Sequence, residues 1–249
     1  MRVGYFAPSY KRPYKSSTQQ LYPAVKLVVM ESEAEAYMRE GNEIVVCPDS
    51  AQGNLCRVRN WILDNPGSEF DAVVILDDDF SGLKRTNDNN REMLFADEME
   101  EFCEMAAIMT QDCGFSFFGV NPDKSKGGYR EHTPFSMLKY IGGPFQGFVK
   151  IGGKLPLRYD ENLPLKEDYD MTLQAIFWHG GCLRFNFMSY DVKQAEQVGG
   201  CAAYRTSDRE REQFELLQKK WGSQVVRYDK QSKKGFDFNP IIRVPIRGV

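Results

Sequence analysis

A chain of 249 residues fits one large domain or two small ones, and α/β domains of this size often form a single unit. Its 32 Lys plus Arg against 35 Asp plus Glu give a formal charge of −3, which excludes a surface basic all over but leaves room for a local basic site. At 42% hydrophobic and 13% aromatic residues wholesale disorder is excluded, and six cysteines without CxxC spacing beside two histidines argue against structural zinc. No apolar run approaches the ~20 residues that span a bilayer. The first residues, MRVGYFAPSYKRP, lack the apolar stretch and cleavage site of a signal peptide. The expectation is a reduced cytosolic α/β protein, cytoplasmic and off the membrane.

In chain order, Arg2 to Pro8 reads as a strand that ends in the polar turn Ser9-Tyr10-Lys11-Arg12-Pro13. Ala24 to Met30 is a nearly continuous apolar run, as a strand buried on both faces should be. Ser32, three residues before Glu35, has capping-box spacing and opens a short helix that Gly41 closes. Glu43 to Cys47 is the next strand, Leu55 to Leu63 a helix, and Ala72 to Leu76 a fourth strand that runs into Asp77-Asp78-Asp79. Strands separated by such helices favour right-handed βαβ units, with ligands at the strands' carboxyl ends. Ser9 to Arg12, Glu31 and Asp77 to Asp79 would then gather along one rim.

The second half is less regular. Phe95, Met99, Phe102, Ala106 and Met109 recur at helical spacing, and residues 86 to 112 hold eight acids and one Arg, the pattern of a solvated acidic helix face. Phe115 to Val120 is a strand, followed by a loop to Pro134. Gly142-Gly143-Pro144-Phe145-Gln146-Gly147 leads into a short strand, Phe148 to Ile151. Helices over 169–178 and 209–221 flank a strand from Leu183 to Met188. Residues 225–249 carry six Lys or Arg and two Asp, a local +4. No repeat or low-complexity linker is present, so one domain over 1–249 is expected.

Three groups of residues carry chemistry. In VVILDDDF the alternation of a strand would point Asp77 and Asp79 the same way. Two such carboxylates repel each other, and a divalent cation is the usual remedy; a turn or helix cap is the plainer use of Asp. Gly53-Asn54-Leu55-Cys56-Arg57-Val58-Arg59-Asn60 opens a helix, where backbone N–H groups and arginine favour an anion, although one arginine of the two is expected to be simple surface charge. Leu165-Lys166-Glu167-Asp168-Tyr169-Asp170 precedes an apolar helix. Its acids would complement the helix dipole, and beside a metal motif one of them becomes a candidate general base.

The order of these pieces resembles the GT-A fold of nucleotide-sugar-dependent glycosyltransferases: PSYKRP after the first strand, VVMES after the second, GNLCRVRN opening a helix, LDDD closing the fourth strand, then GGPFQGF and LKEDYD. More narrowly, the chain resembles the glycosyltransferases associated with TET/JBP oxygenases of phages and bacteria, related to the base J glucosyltransferase. That resemblance implies a Rossmann-like single domain, with about 1–80 binding the nucleotide sugar and about 113–249 the acceptor. It implies a UDP-sugar donor, Mn²⁺ or Mg²⁺, and a hydroxymethylated pyrimidine in DNA as acceptor of a sugar, glucose by analogy. Asp77 and Asp79 would form the metal and diphosphate site. Glu31 would meet the uracil ring, Pro8, Ser9, Tyr10 and Arg12 would line the nucleotide pocket, and Arg57 and Arg59 would meet ribose or phosphate. Asp168 would be the base of an inverting displacement, with Glu167 in reserve. Lys193 and Arg205 would hold the leaving diphosphate. The sequence lacks a late histidine for the metal, and Asp191 or water would substitute. Lys124, Lys126, Tyr129, Arg130, His132, Phe135 and Phe145 supply basic and aromatic types for the acceptor side, and the +4 tail could grip phosphate. A glycan or protein acceptor, a sugar-phosphate nucleotidyltransferase and a non-catalytic binder share parts of the pattern. PSYKRP lacks the Gly-rich loop of a nucleotidyltransferase.

Overall fold

A computed structural model describes residues 1–14, 16–87, 90–125, 128–193, 206–229 and 238–244. Lys126, Gly199, Gly200, Arg205, Lys230, Lys233, Lys234 and Arg247 fall outside them. The elements in chain order are β1 (Val3–Pro8), α1 (Ser17–Leu21), β2 (Lys26–Met30), α2 (Ala34–Arg39), β3 (Ile44–Cys47), α3 (Leu55–Asp64), β4 (Ala72–Leu76), β5 (Phe80–Asn87) and β6 (Asn90–Met93). There follow α4 (Ala96–Asp112), β7 (Phe117–Asn121), β8 (Phe135–Ser136), β9 (Phe145–Val149), α5 (Glu167–His179), β10 (Leu183–Val192), α6 (Ser207–Trp221), β11 (Val226–Tyr228) and β12 (Pro240–Ile242).

Among the described residues one ten-stranded sheet runs β3-β2-β1-β4-β9-β7-β10-β5-β6, with β8 paired to β10. The first four strands are parallel, as the alternation of strands and helices predicts. β9 enters antiparallel between β4 and β7, which restores the common direction for β7 and β10. The expected α/β class, a largely parallel sheet flanked by helices, is therefore the observed one. The strand order reverses beside β1 and β4, the place where open α/β sheets bind ligands.

The two faces of the sheet separate by residue parity. On β4, Ala72, Val74 and Leu76 pack in one cluster with α4, while Val73 and Ile75 join α3 and α5 on the other side. All five are fully buried, which explains the unbroken apolar run. A third cluster, Leu163, Leu173, Phe214, Leu217 and Val226, seats α6 and β11 against α5. No helix among the described residues is long and apolar enough to cross a membrane.

Three local expectations need correction. Ser32 does not cap α2, because its N–H and hydroxyl both donate to Asp49 at 3.3 and 3.2 Å, and a turn of 3₁₀ helix over Glu31–Glu33 precedes the α-helix instead. The β5–β6 hairpin is new: FSGLKRTN and NREM alternate too weakly to read as strands, yet β5 pairs with β10 along most of its length. Phe145 is not an acceptor-side aromatic. It starts β9 rather than the preceding loop and is buried among Phe80, Phe102 and Phe118.

Candidate active site

The three aspartates after β4 occupy a turn that neighbouring elements fix. Thr18 Oγ1 donates to the Asp77 carbonyl at 3.0 Å and Ser16 Oγ to that of Asp78 at 3.1 Å, so the start of α1 holds the loop from below. Asp78 turns toward the first loop, where it accepts from Ser9 Oγ at 2.6 Å and pairs with Arg12 at 2.5 Å. Ser9 is shared with the Tyr37 hydroxyl at 2.9 Å. Arg12 also lies 3.8 Å from Asp79. Asp78 therefore ties the first loop to the carboxylate cluster. Lys11 holds a left-handed φ of 55°, a strained backbone of the kind found at ligand loops.

Asp79 is buried beside its neighbours, and burial first, then the charges of Asp77 and Asp78, push its carboxyl up to about 7. A cation is what would relieve that repulsion. Arg59 engages only Oδ1 of Asp77, and the hard oxygens of Asp77 and Asp79 suit a Mg²⁺-type ion that takes one or two carboxylates plus substrate phosphates. The residues present thus fit a divalent cation, although no cluster of three or more ligating side chains exists among the described residues. Asp191 does not join them. It pairs with Lys84 at 2.6 Å, Lys124 at 3.4 Å and Arg91 at 3.5 Å, and despite partial burial those cations pull its carboxyl down.

Arg59 lies inside the protein, 1% exposed, so it does not face a nucleotide as expected. Its side chain links two carboxylates: Nη2 to Asp77 at 2.9 Å and Nη1 to Glu167 at 3.2 Å. Nη2 also donates to the Gly143 carbonyl at 3.2 Å, and the guanidinium sits 5.4 Å from the Tyr159 ring centre. As the fifth residue of α3, Arg59 lies on the buried face with Cys56, Ile62 and Leu63. Arg57 points outward, to Glu161 at 3.1 Å. The start of α3 is closed by its own residue, since Asn54 accepts from the Cys56 N–H at 2.9 Å, so the anion expected there meets a capped helix.

Glu167 is buried and Asp168 half-buried. Burial raises the Glu167 carboxyl to about 8, with the charge of Asp168 adding to the rise and Arg59 opposing it. The folded state therefore keeps a proton that the unfolded chain releases near the ordinary value of 4.5. Stability from this group is complete below that value and is lost as pH rises through about 8. Thermal melts across this range are expected to weaken with rising pH, by at most about 1.4 kcal/mol per pH unit for one proton. Glu167→Gln should flatten that slope, and an unchanged slope would remove Glu167 as its source.

Asp168 is held differently. Its Oδ2 accepts from the Tyr140 hydroxyl and from the Gly143 N–H at 3.2 Å, and Oδ1 accepts from the Tyr169 N–H at 2.8 Å. Tyr140 stacks on Tyr169 with ring centres 4.3 Å apart. The GGP turn must stay thin here. A Cβ on Gly142 would meet the Tyr190 hydroxyl at 2.3 Å. Tyr140 and Tyr190 join this cluster without any sequence signal, and Asp78, expected only along the rim, ties the first loop to it. A tyrosine before a GG pair has no periodic signature, so only the fold discloses it.

The remaining rim residues fall as follows. Glu31 is exposed in the 3₁₀ turn that follows β2. Tyr10 is half-buried, with the Lys11 ammonium 5.0 Å from its ring. The Lys193 N–H donates to the Asp79 carbonyl at 3.2 Å, which brings the end of β10 to the carboxylates. Lys124, Arg130, His132 and Phe135 are exposed in the segment between β7 and β9, and Tyr129 is half-buried there.

A Rossmann-like sheet with carboxylates at its switch point, and a second pair of acids tied to them through a buried arginine, has the layout of a ligand site in an open α/β fold. The model of the TET-associated glycosyltransferases matches residues 7–200. The chain belongs to that family. Crystal structures of S. aureus TarS 1–349, one of them in complex with UDP, are similar at 14% identity, over 76% of this chain and 59% of theirs, with a TM-score of 0.44. A197 from STIV is similar at 12% identity, over 76% of this chain and 84% of its own, with a TM-score of 0.40. This chain thus spans 59% of the TarS 1–349 length. No curated protein matches it in sequence.

Proposed function

We propose that this protein is an inverting glycosyltransferase that moves a sugar, glucose by family analogy, from a UDP-sugar to the hydroxyl of a hydroxymethylated pyrimidine in DNA. The observation that carries the reading is Asp168: a half-buried carboxylate fixed by Tyr140 and Gly143, next in the chain to Glu167, which the buried Arg59 ties to Asp77 after β4. The UDP-sugar donor follows the family, and Pro8, Ser9, Tyr10, Arg12 and Glu31 line the rim that would receive it. We take the chain as one GT-A domain working in the cytosol, its first 80 residues for the donor and the part after residue 113 for the acceptor.

In this reading Asp168 takes the proton of the acceptor hydroxyl as that oxygen attacks the anomeric carbon from the face opposite the leaving group. The sugar–diphosphate bond breaks as the new glycosidic bond forms, and UDP carries away the electron pair. A Mg²⁺ or Mn²⁺ held by Asp77 and Asp79 would supply Lewis-acid charge to the diphosphate. Arg12 stands 3.8 Å from the Asp79 carboxylate and adds positive charge on that side, and Lys193 is tied to the same turn through its backbone N–H. Arg59 keeps Asp77 and Glu167 in register, so donor and base sites share one rigid link.

The test is UDP release and sugar transfer with Mn²⁺, comparing plain DNA with DNA containing hydroxymethylcytosine or hydroxymethyluracil. Release that rises only with modified DNA, and disappears in Asp79→Asn, is the expected result. Release indifferent to DNA would overturn the acceptor and leave a glycan or protein in its place. Absence of nucleotide-sugar binding would overturn the donor as well.

A further inference from the structure

The hairpin of β5 and β6 puts two cations where the sequence pattern places none. Lys84 and Arg91 reach across to Asp191 on β10, and Lys124 reaches the same carboxylate from the loop after β7. Three cations on one carboxylate leave a local excess of positive charge. Arg91 is fixed further by the Ser189 hydroxyl, which accepts from Nη2 at 2.9 Å. Lys124 is 59% exposed, and Lys84 and Arg91 each keep about a quarter of the side chain in solvent.

Aromatic rings continue this patch along β10. Phe187 lies two residues before Ser189, with Tyr129 and Phe135 at 6.4 and 6.1 Å, and Phe135 is 39% exposed. In the other direction β10 runs into the candidate active site: Tyr190 abuts Gly142, and Lys193 bonds the Asp79 carbonyl. Charge and rings therefore lie along the strand whose end reaches the candidate active site. An isolated surface ion pair has no such sequel, because it neutralises itself and adds little. A polyanion with flat bases matches both halves of the surface, phosphates to the cations and bases to the rings.

We propose that the Lys84, Arg91 and Lys124 cluster seats a backbone phosphate of the acceptor nucleic-acid strand, with neighbouring bases on Phe135, Tyr129 and Phe187. The inference rests on the DNA-acceptor reading above and gives it a location. The phosphate displaces part of the Asp191 pairing, which keeps the three cations extended in its absence. The modified base then reaches Asp168 from the β10 side.

Anisotropy of a labelled oligonucleotide carrying hydroxymethylcytosine, from about 50 to about 200 mM salt, tests the placement. Lys84→Gln with Lys124→Gln should weaken binding at least about tenfold at low salt and flatten the log–log salt slope by about 1 to 2. Phe135→Ala should weaken binding about tenfold while leaving the salt slope unchanged. Lys124→Gln alone, at a solvent-exposed position, guards against a folding artefact. UDP-sugar hydrolysis without DNA should match the unsubstituted protein in all of these variants. If the unsubstituted protein glycosylates modified DNA and the lysine variants bind with unchanged affinity and slope, the placement is wrong. If the unsubstituted protein neither binds nor modifies DNA, the acceptor reading fails, and the placement with it.

Discussion

Asp168→Asn is expected to lower kcat for sugar transfer by about 10² to 10⁴, the usual worth of a positioned general base. UDP-sugar affinity should stay within about twofold, since a group that acts in the transition state leaves ground-state binding alone. The substitution is nearly isosteric. Oδ1 can still accept from the Tyr169 N–H, and an amide at the other position can donate to the Tyr140 hydroxyl. What is lost is the ability to take a proton, together with the acceptor of the Gly143 N–H. Glu167 provides the contrast, because it is buried against Arg59 and cannot meet an acceptor without breaking that link. Glu167→Gln should therefore retain far more turnover than Asp168→Asn. Single-turnover transfer with saturating donor checks this ordering. Equal loss in both variants, or greater loss in Glu167→Gln, would exchange the two roles.

How much of this was legible in the sequence follows from where each residue's signal lies. β1, β2 and β4 announce themselves because strands buried on both faces are continuous apolar runs, and the acids after β4 stand out against one. Asp168 was legible through its motif, as the acids that open an apolar helix. Arg59 was visible as a residue and wrong as a role: α3 carries both Arg57 and Arg59, and spacing alone does not say which turns inward. Its burial is a tertiary fact, set by the sheet behind it and by two carboxylates more than a hundred residues and eighteen residues away. Lys84 and Arg91 were invisible for a related reason. They sit on a hairpin whose alternation is diluted by Gly82 and polar residues, and whose pairing depends on β10 a hundred residues later. Tyr140 has no pattern at all, only a place.

Lys166→Met should cost about 3 to 5 kcal/mol, because it leaves a buried carboxylate without its ammonium. Lys166 and Glu210 form an ion pair with side chains 1% and 2% exposed, and the pair joins the start of α5 to α6. Around it Asp170, fully buried, accepts from Trp221 Nε1 at 2.7 Å and pairs with Lys220 at 2.9 Å. These contacts converge on the segment that carries Glu167 and Asp168, yet α6 lies beyond residues 7–200 of the family match. A hydrophobic pair of similar volume would hold the helices at least as firmly, so stability alone does not call for a buried salt bridge. Direction does: an ammonium meeting a carboxylate fixes the approach of α6, whereas apolar contact tolerates sliding. In Lys166→Met the melting midpoint should fall by about 10 °C. Lys166→Met with Glu210→Met should recover most of that fall, while kcat stays several-fold low at unchanged donor KM. Full recovery of kcat together with stability would reduce the pair to a structural clasp. Loss of kcat that persists in the stable double variant would show that α6 sets the aim of the base.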